Sequence, residues 1–209
     1  MMNPGYLSLL LICMILILLS SGWKEVFLSR ASHKEILLFF VLWITSLQFN
    51  ISFVQIELNS SIIVMSMMCM YILVKISAWK KRMQTILIGL LLAILNLVLL
   101  EFYAIDPIFV ISRMGLDIAV WLSLVCLCMT RDRSMQLASL TLGFILGDTM
   151  HAYYHLASAS YVLGNSLFQD KWWLAIVIVG VGTVILQQMV ISYRRFIHKF
   201  ETMRKRGWK

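Results

Sequence analysis

Apolar side chains gather along the chain into seven runs, near Pro4–Gly22, Glu35–Ile56, Ser60–Ala78, Thr85–Tyr103, Pro107–Met129, Met135–Tyr154 and Trp172–Tyr193. Each approaches the roughly 20 residues that carry an α-helix across the hydrocarbon core of a bilayer. The two-residue alternation of a membrane β-barrel is absent, and a helix satisfies its backbone polar groups within its own segment. Start signals fall where runs begin. Asn3-Pro4 and Asp106-Pro107 each put a capping side chain before a proline, and Ser32-x-x-Glu35 has the form of a capping box. The pattern predicts an all-α fold, a polytopic membrane helix bundle of seven transmembrane helices. Residues 1–193 form its single domain and 194–209 a basic cytoplasmic tail.

The segments between runs alternate between basic and not basic. Lys24, Arg30 and Lys34 lie between the first two, and Lys75, Lys80, Lys81 and Arg82 between the third and fourth. Arg131 and Arg133 lie between the fifth and sixth, and the tail begins Arg194-Arg195 and ends at Lys209. These four segments hold all but two of the 18 Lys and Arg residues. Lys and Arg flanking a span stay on the cytoplasmic side. The N-terminus is therefore expected outside, and the C-terminus in the cytoplasm, of a multi-pass plasma-membrane protein. The exceptions are Lys171, read as an outer-interface residue, and Arg113, inside a run.

Composition agrees with this picture and narrows the partners. A chain that is 61% hydrophobic and 13% charged is far from the soluble balance. Topology accounts for the formal charge of +8, so nucleic acid is excluded as a partner. The expected partners are the lipid bilayer, anionic headgroups at the basic tail, and a membrane protein. Headgroup contacts are worth about 1 kcal/mol per Lys or Arg near the surface. Trp23, Trp79 and Tyr193 fit the basic interface, and Tyr103, Tyr161, Trp172 and Trp173 the other. Cys13, Cys69, Cys126 and Cys128 fall within runs at no zinc-site spacing, and read as small apolar side chains.

Ionisable groups within a span cost about 2.5–3.5 kcal/mol at the helix centre and usually face the bundle interior. The chain places Arg113 and Asp117 in the fifth run, Asp148 and His151 in the sixth, and Glu101 and His155 near outer ends. Counted from the inner ends at about 1.5 Å per residue, Asp117 and Asp148 lie roughly 18–20 Å up. Arg113, His151 and Glu101 lie roughly 24 Å up on the same count. Gln48 and Asn50 fall in this layer too. The tight turn Thr130–Ser134 makes the fifth and sixth runs neighbours, setting Asp117 beside Asp148 and Arg113 beside His151. Ser139, Gly143 and Gly147 have the small-xxx-small spacing that lets helix backbones approach, with Gly180 and Gly182 as a matching surface.

The first functional reading is an outward-facing polar pocket of Arg113, Asp117, Asp148 and His151, with Glu101 and His155 at its mouth. It serves a non-enzymatic protein that assembles with partners or binds a small polar ligand or lipid headgroup, with no cofactor. Asp148-x-x-His151-x-x-x-His155 carries a second reading. Imidazoles at i and i+4 can share a zinc ion, with Asp148 or Glu101 as oxygen ligand. A zinc-bound water would make a metal-dependent intramembrane hydrolase. The third reading is a small proton-coupled transporter using the same layer. No nucleophile elbow and no phosphate-cradling glycine loop is present.

Asn3-Pro4-Gly5-Tyr6, the seven-run layout and Gly147-Asp148-Thr149-Met150-His151-Ala152-Tyr153-Tyr154-His155 resemble the YphA-type membrane proteins of spore-forming bacilli. The resemblance covers nearly the whole chain. It implies an integral membrane protein connected with sporulation, and it brings no catalytic residues to carry over.

Overall fold

The computed structural model describes residues 3–23, 32–53, 56–155 and 161–206. Lys24, Arg30 and Lys209 lie outside the described residues, as do the side chains from 198 onward. Seven α-helices follow one another among the described residues: α1 (Tyr6–Leu18), α2 (His33–Ser46), α3 (Ser61–Lys75), α4 (Trp79–Ile105), α5 (Met114–Met129), α6 (Arg133–Tyr154) and α7 (Ser166–Arg206). The capping box at Ser32 and Glu35 is formed, and the Asp106 carboxylate accepts the Ile108 amide ahead of a short 3-10 turn, Pro107–Phe109.

The expectation of seven transmembrane helices is corrected here. Among the described residues only two helices, Trp79–Ile105 and Ser166–Ile197, are long and apolar enough to cross a membrane. Runs two and five are cut short by identifiable local chemistry. Run two ends as a helix at Ser46, and its remainder becomes β1 (Asn50–Phe53), paired antiparallel with β2 (Ile56–Asn59). The parallel strand β3 (Tyr161–Leu163) completes a three-stranded sheet in the order β1-β2-β3. The cause is written as period-two alternation: Asn50, Ser52, Glu57 and Asn59 alternate with Ile51, Phe53, Ile56 and Leu58. Run five is broken between the 3-10 turn and Met114, so Arg113 is the N-cap of α5 and stands outside the helix. Helix α6 has 22 residues, and its Gln136, Ser139, Thr141, Asp148 and His151 hold its mean hydropathy down.

Helices α4 and α6 run parallel and in close contact. A Cβ added to Gly143 would lie 2.7 Å from the Leu92 Cβ, and one on Gly147 would lie 2.9 Å from the Ala93 carbonyl oxygen. Gly89 returns the favour from α4, because its Cβ would meet Leu142 at 2.6 Å. The small-residue stripe of α6 thus packs on α4. Gly182 of α7 has the same relation to Leu127 of α5, at 2.7 Å. Such approach trades side-chain volume for dispersion contact between backbones.

Trp172 and Trp173, expected at the outer interface, are in the core at 1% and 3% exposure. Phe40 stacks on Trp173, Trp43 meets it edge-on, and the Trp172 indole donates to Thr141 Oγ1 at 3.2 Å. Helix α7 begins at Ser166, earlier than the aromatic pair suggests, so both rings fall nearly two turns inside. Asp170 caps α1 across the chain, accepting the amides of Gly5 at 2.9 Å and Ser8 at 2.7 Å. Outside, Leu9, Ile17, Leu37, Met67, Val74, Leu87 and Ile94 are exposed, an apolar surface that water would not tolerate at this extent.

Candidate metal centre

The C-terminal ends of α4 and α6 carry the candidate site. Parallel packing through Gly143 and Gly147 brings Glu101, near the end of α4, level with His151 in the last turn of α6. His155 follows at i+4 as the residue closing α6, on the same helix face. One carboxylate oxygen, Glu101 Oε1, lies 2.9 Å from His151 Nδ1 and 2.9 Å from His155 Nε2. The ring centroids of the two histidines are 4.6 Å apart. All three potential ligand atoms lie within 4.8 Å of one another. The side chains are half-buried, His151 the most enclosed.

This donor set fits a transition metal. Zinc binds imidazole nitrogen and carboxylate oxygen at about 2.0–2.2 Å, which in a tetrahedron sets neighbouring ligands roughly 3.3 Å apart. Two separations here are slightly shorter and the third is no longer than 4.8 Å, so an ion would have to part the two 2.9 Å contacts by a few tenths of an ångström to be held by all three residues. Two histidines and one glutamate are also the ligands of catalytic zinc sites that leave a fourth position for water.

Asp148 is one turn deeper and differently employed. Lys171 Nζ donates to both of its carboxylate oxygens, and Asn96 Nδ2 donates to Oδ1 at 2.9 Å. Lys171 also lies near the rings of Phe144 and Phe168. Asp117 accepts the backbone amides of Ile111 at 2.8 Å and Ser112 at 3.3 Å, and so orders the turn that leads into α5. Arg113 stands four residues before it, at the N-cap. The polar layer expected as one pocket thus contains a Glu/His/His group, a buried Asp/Lys/Asn group and an aspartate that accepts two backbone amides.

Residues 25–206 match the YphA-like integral membrane protein family. The chain belongs to that family. No curated protein and no solved structure matches it. This YphA-like chain is accordingly a multi-pass integral membrane protein, and its exposed apolar surface meets lipid.

Two expectations change at this site. The reading without a cofactor is corrected, because Glu101, His151 and His155 present a potential metal-binding group. Within the metal reading the oxygen donor is Glu101, while Asp148 is held by Lys171. Lys171 itself was placed at the outer interface, yet its side chain is 7% exposed. Its signal in the sequence is its isolation: it is the lone Lys or Arg between Arg133 and Arg194, only one turn into a helix that reaches Asp148.

Proposed function

We propose that this protein holds a divalent transition metal, zinc foremost, on Glu101, His151 and His155, and uses it for hydrolysis at the outer face of the membrane. The observation that carries the reading is the convergence of three ligand atoms within 4.8 Å. Zinc with three protein ligands keeps an open position, and it lowers the pKa of a bound water to about 7. Glu101 is four residues from the end of α4, so the site is about 6 Å below the end of that helix. A substrate bond at headgroup depth could reach it without crossing the hydrocarbon core.

Elemental analysis of the purified protein tests the metal. About one zinc per chain is expected, falling to background in Glu101→Gln, His151→Ala and His155→Ala; a metal-free wild type sinks the proposal. Turnover of fluorogenic ester and peptide substrates in detergent tests the chemistry. Bound zinc without any turnover would reduce the site to a structural one.

The Lys and Arg ledger supports a cytoplasmic C-terminus in the plasma membrane. Activity of alkaline phosphatase fused after Lys209 would contradict that orientation. A connection with sporulation is supported by the resemblance alone, and spore counts after gene deletion test it.

A further inference from the structure

Helix α4 is long and apolar enough to cross a membrane, and its charges mark its position there. It opens with Trp79, Lys80, Lys81 and Arg82, and Arg82 Cζ lies 6.0 Å from the centre of the exposed Trp79 ring. Trp and basic residues of this kind gather at a membrane interface. The next charged residue along the chain is Glu101. The step of 19 positions from Arg82 rises about 28 Å, close to the roughly 30 Å of a hydrocarbon core. Glu101 therefore stands at the far edge of the core, where the headgroup layer begins. Exposed Tyr153 and Tyr154 at the end of α6 agree with that level, because such rings line the interface.

Rotation matters as much as depth. One face of α4 is buried against the bundle through Ile88, Leu92 and Asn96. The opposite face carries Leu90, Ile94 and Val98, each 46–54% exposed. At about 100° per residue, Glu101 lies within about 60° of all three around the helix axis. It reaches His151 and His155 from the rim of this lipid-facing surface, and its own side chain is 38% exposed. Val98, Ile94 and Leu90 lie about 5, 10 and 16 Å deeper in the core than Glu101, so the stripe runs the depth of one leaflet. The site is open sideways to lipid.

The chemistry of the stripe selects what lies on it. Leu90, Ile94 and Val98 offer no hydrogen-bonding side chain, and the backbone beneath them is bonded within the helix. An extended peptide laid there would strand its amides in hydrocarbon, at several kcal/mol each. An acyl chain has no polar group to strand. We propose that the substrate is the acyl ester of a membrane lipid, with its acyl chain along Leu90, Ile94 and Val98 and its ester carbonyl at Glu101, His151 and His155. The proposal rests on the hydrolytic reading of that site. Hydrolysis joins the oxygen of water to the acyl carbonyl carbon and breaks that carbon's bond to the alcohol oxygen. The alcohol leaves with a proton from the water, and the products are a fatty acid and a lysolipid.

The test uses the full-length protein with zinc, in nanodiscs of ether-linked phosphatidylcholine, which has no acyl ester. These are doped with diacyl phosphatidylcholine or diacyl phosphatidylglycerol, and fatty acid should be released. Val98→Trp and, separately, Ile94→Trp fill the stripe with apolar bulk that lipid tolerates. Each should slow that release at least about tenfold, roughly 1.4 kcal/mol. Hydrolysis of a water-soluble acetate ester, zinc content and thermal unfolding should stay unchanged. Met189→Trp, on the exposed face of α7, should alter neither reaction. Dodecyl hydroxamate, a zinc ligand with a chain, should bind wild type about tenfold more tightly than Val98→Trp, while acetohydroxamate binds both equally. Acetate turnover with no fatty acid from either lipid overturns the lipid substrate and leaves the hydrolytic reading standing. Turnover of neither ester overturns both. Fatty-acid release and dodecyl hydroxamate binding that survive both stripe variants overturn the proposed seat of the chain. A disulfide forming between Val98→Cys copies in liposomes would make a second copy the occupant, and overturns it as well.

Discussion

Lys171 Nζ lies 2.6 Å and 2.7 Å from the two carboxylate oxygens of Asp148, inside the bundle and one turn below the histidines. The two charges are desolvated together, and each makes the other tolerable. Asn96 adds a third contact from α4. The trio ties α4, α6 and α7 together directly beneath Glu101, His151 and His155.

Breaking that pair should cost far more than replacing it. Asp148→Asn or Lys171→Met leaves one buried charge without compensation, a loss of about 3–5 kcal/mol. The double change Asp148→Leu with Lys171→Leu should recover most of this. Thermal unfolding of the four proteins in detergent measures it, and full stability of either single variant would contradict the buried pair.

Gly147→Ala should be destabilising by about 1–3 kcal/mol. The added Cβ would lie 2.5 Å from Asn96 Nδ2 and 2.9 Å from the Ala93 carbonyl oxygen, and the backbone contact cannot yield cheaply. Separating α4 from α6 should also weaken zinc binding, read by competition with a chelator. Gly115→Ala, whose Cβ would meet only Lys171 Cβ at 3.9 Å, should leave zinc affinity unchanged.

Asp117→Ala should separate structure from metal chemistry. Loss of its bonds to the Ile111 and Ser112 amides should cost about 1–3 kcal/mol, the usual worth of hydrogen bonds to a charged group. Zinc stoichiometry should stay at the wild-type value. A metal-free Asp117→Ala protein that is otherwise folded would place Asp117 in the site.

Glu35 predicts an acid-side change in stability. Hydrogen bonds from Tyr71, then Lys75, then the Ser32 amide hold its carboxyl down at about 2. A carboxylate depressed by folding contributes fully above its unfolded value of about 4.3. The contribution fades as pH falls through the window between that value and about 2. The group is exposed, so the effect is small and salt-screened. Melting temperatures from pH 6 to pH 2 should show a step that Glu35→Gln lacks.

Much of this protein is legible before any fold is known. The apolar runs, their helical character and the capping signals at Ser32 and Asp106 depend on neighbours within a few residues. The shared height of Glu101 and His151 follows from counting 1.5 Å per residue along two helices from a common end. Other features were written but easy to pass over. The alternation from Asn50 to Asn59 specifies strands inside a run whose overall hydrophobicity suggests a span. The four residues from Val110 to Arg113 separate a 3-10 turn from α5, and so shorten the run that contains them.

What the chain alone determined is thus axial: which segments are helical, where they begin, and how far along each a polar group lies. Only the tertiary structure decided rotation and partnership. Each helix can turn about its axis without changing its own hydrogen bonds, so local sequence does not say which face meets which neighbour. The close approach at Gly143 and Gly147 settles that angle for α4 and α6. It turns Glu101 toward both histidines and Asp148 toward Lys171, a residue 23 positions away in the chain.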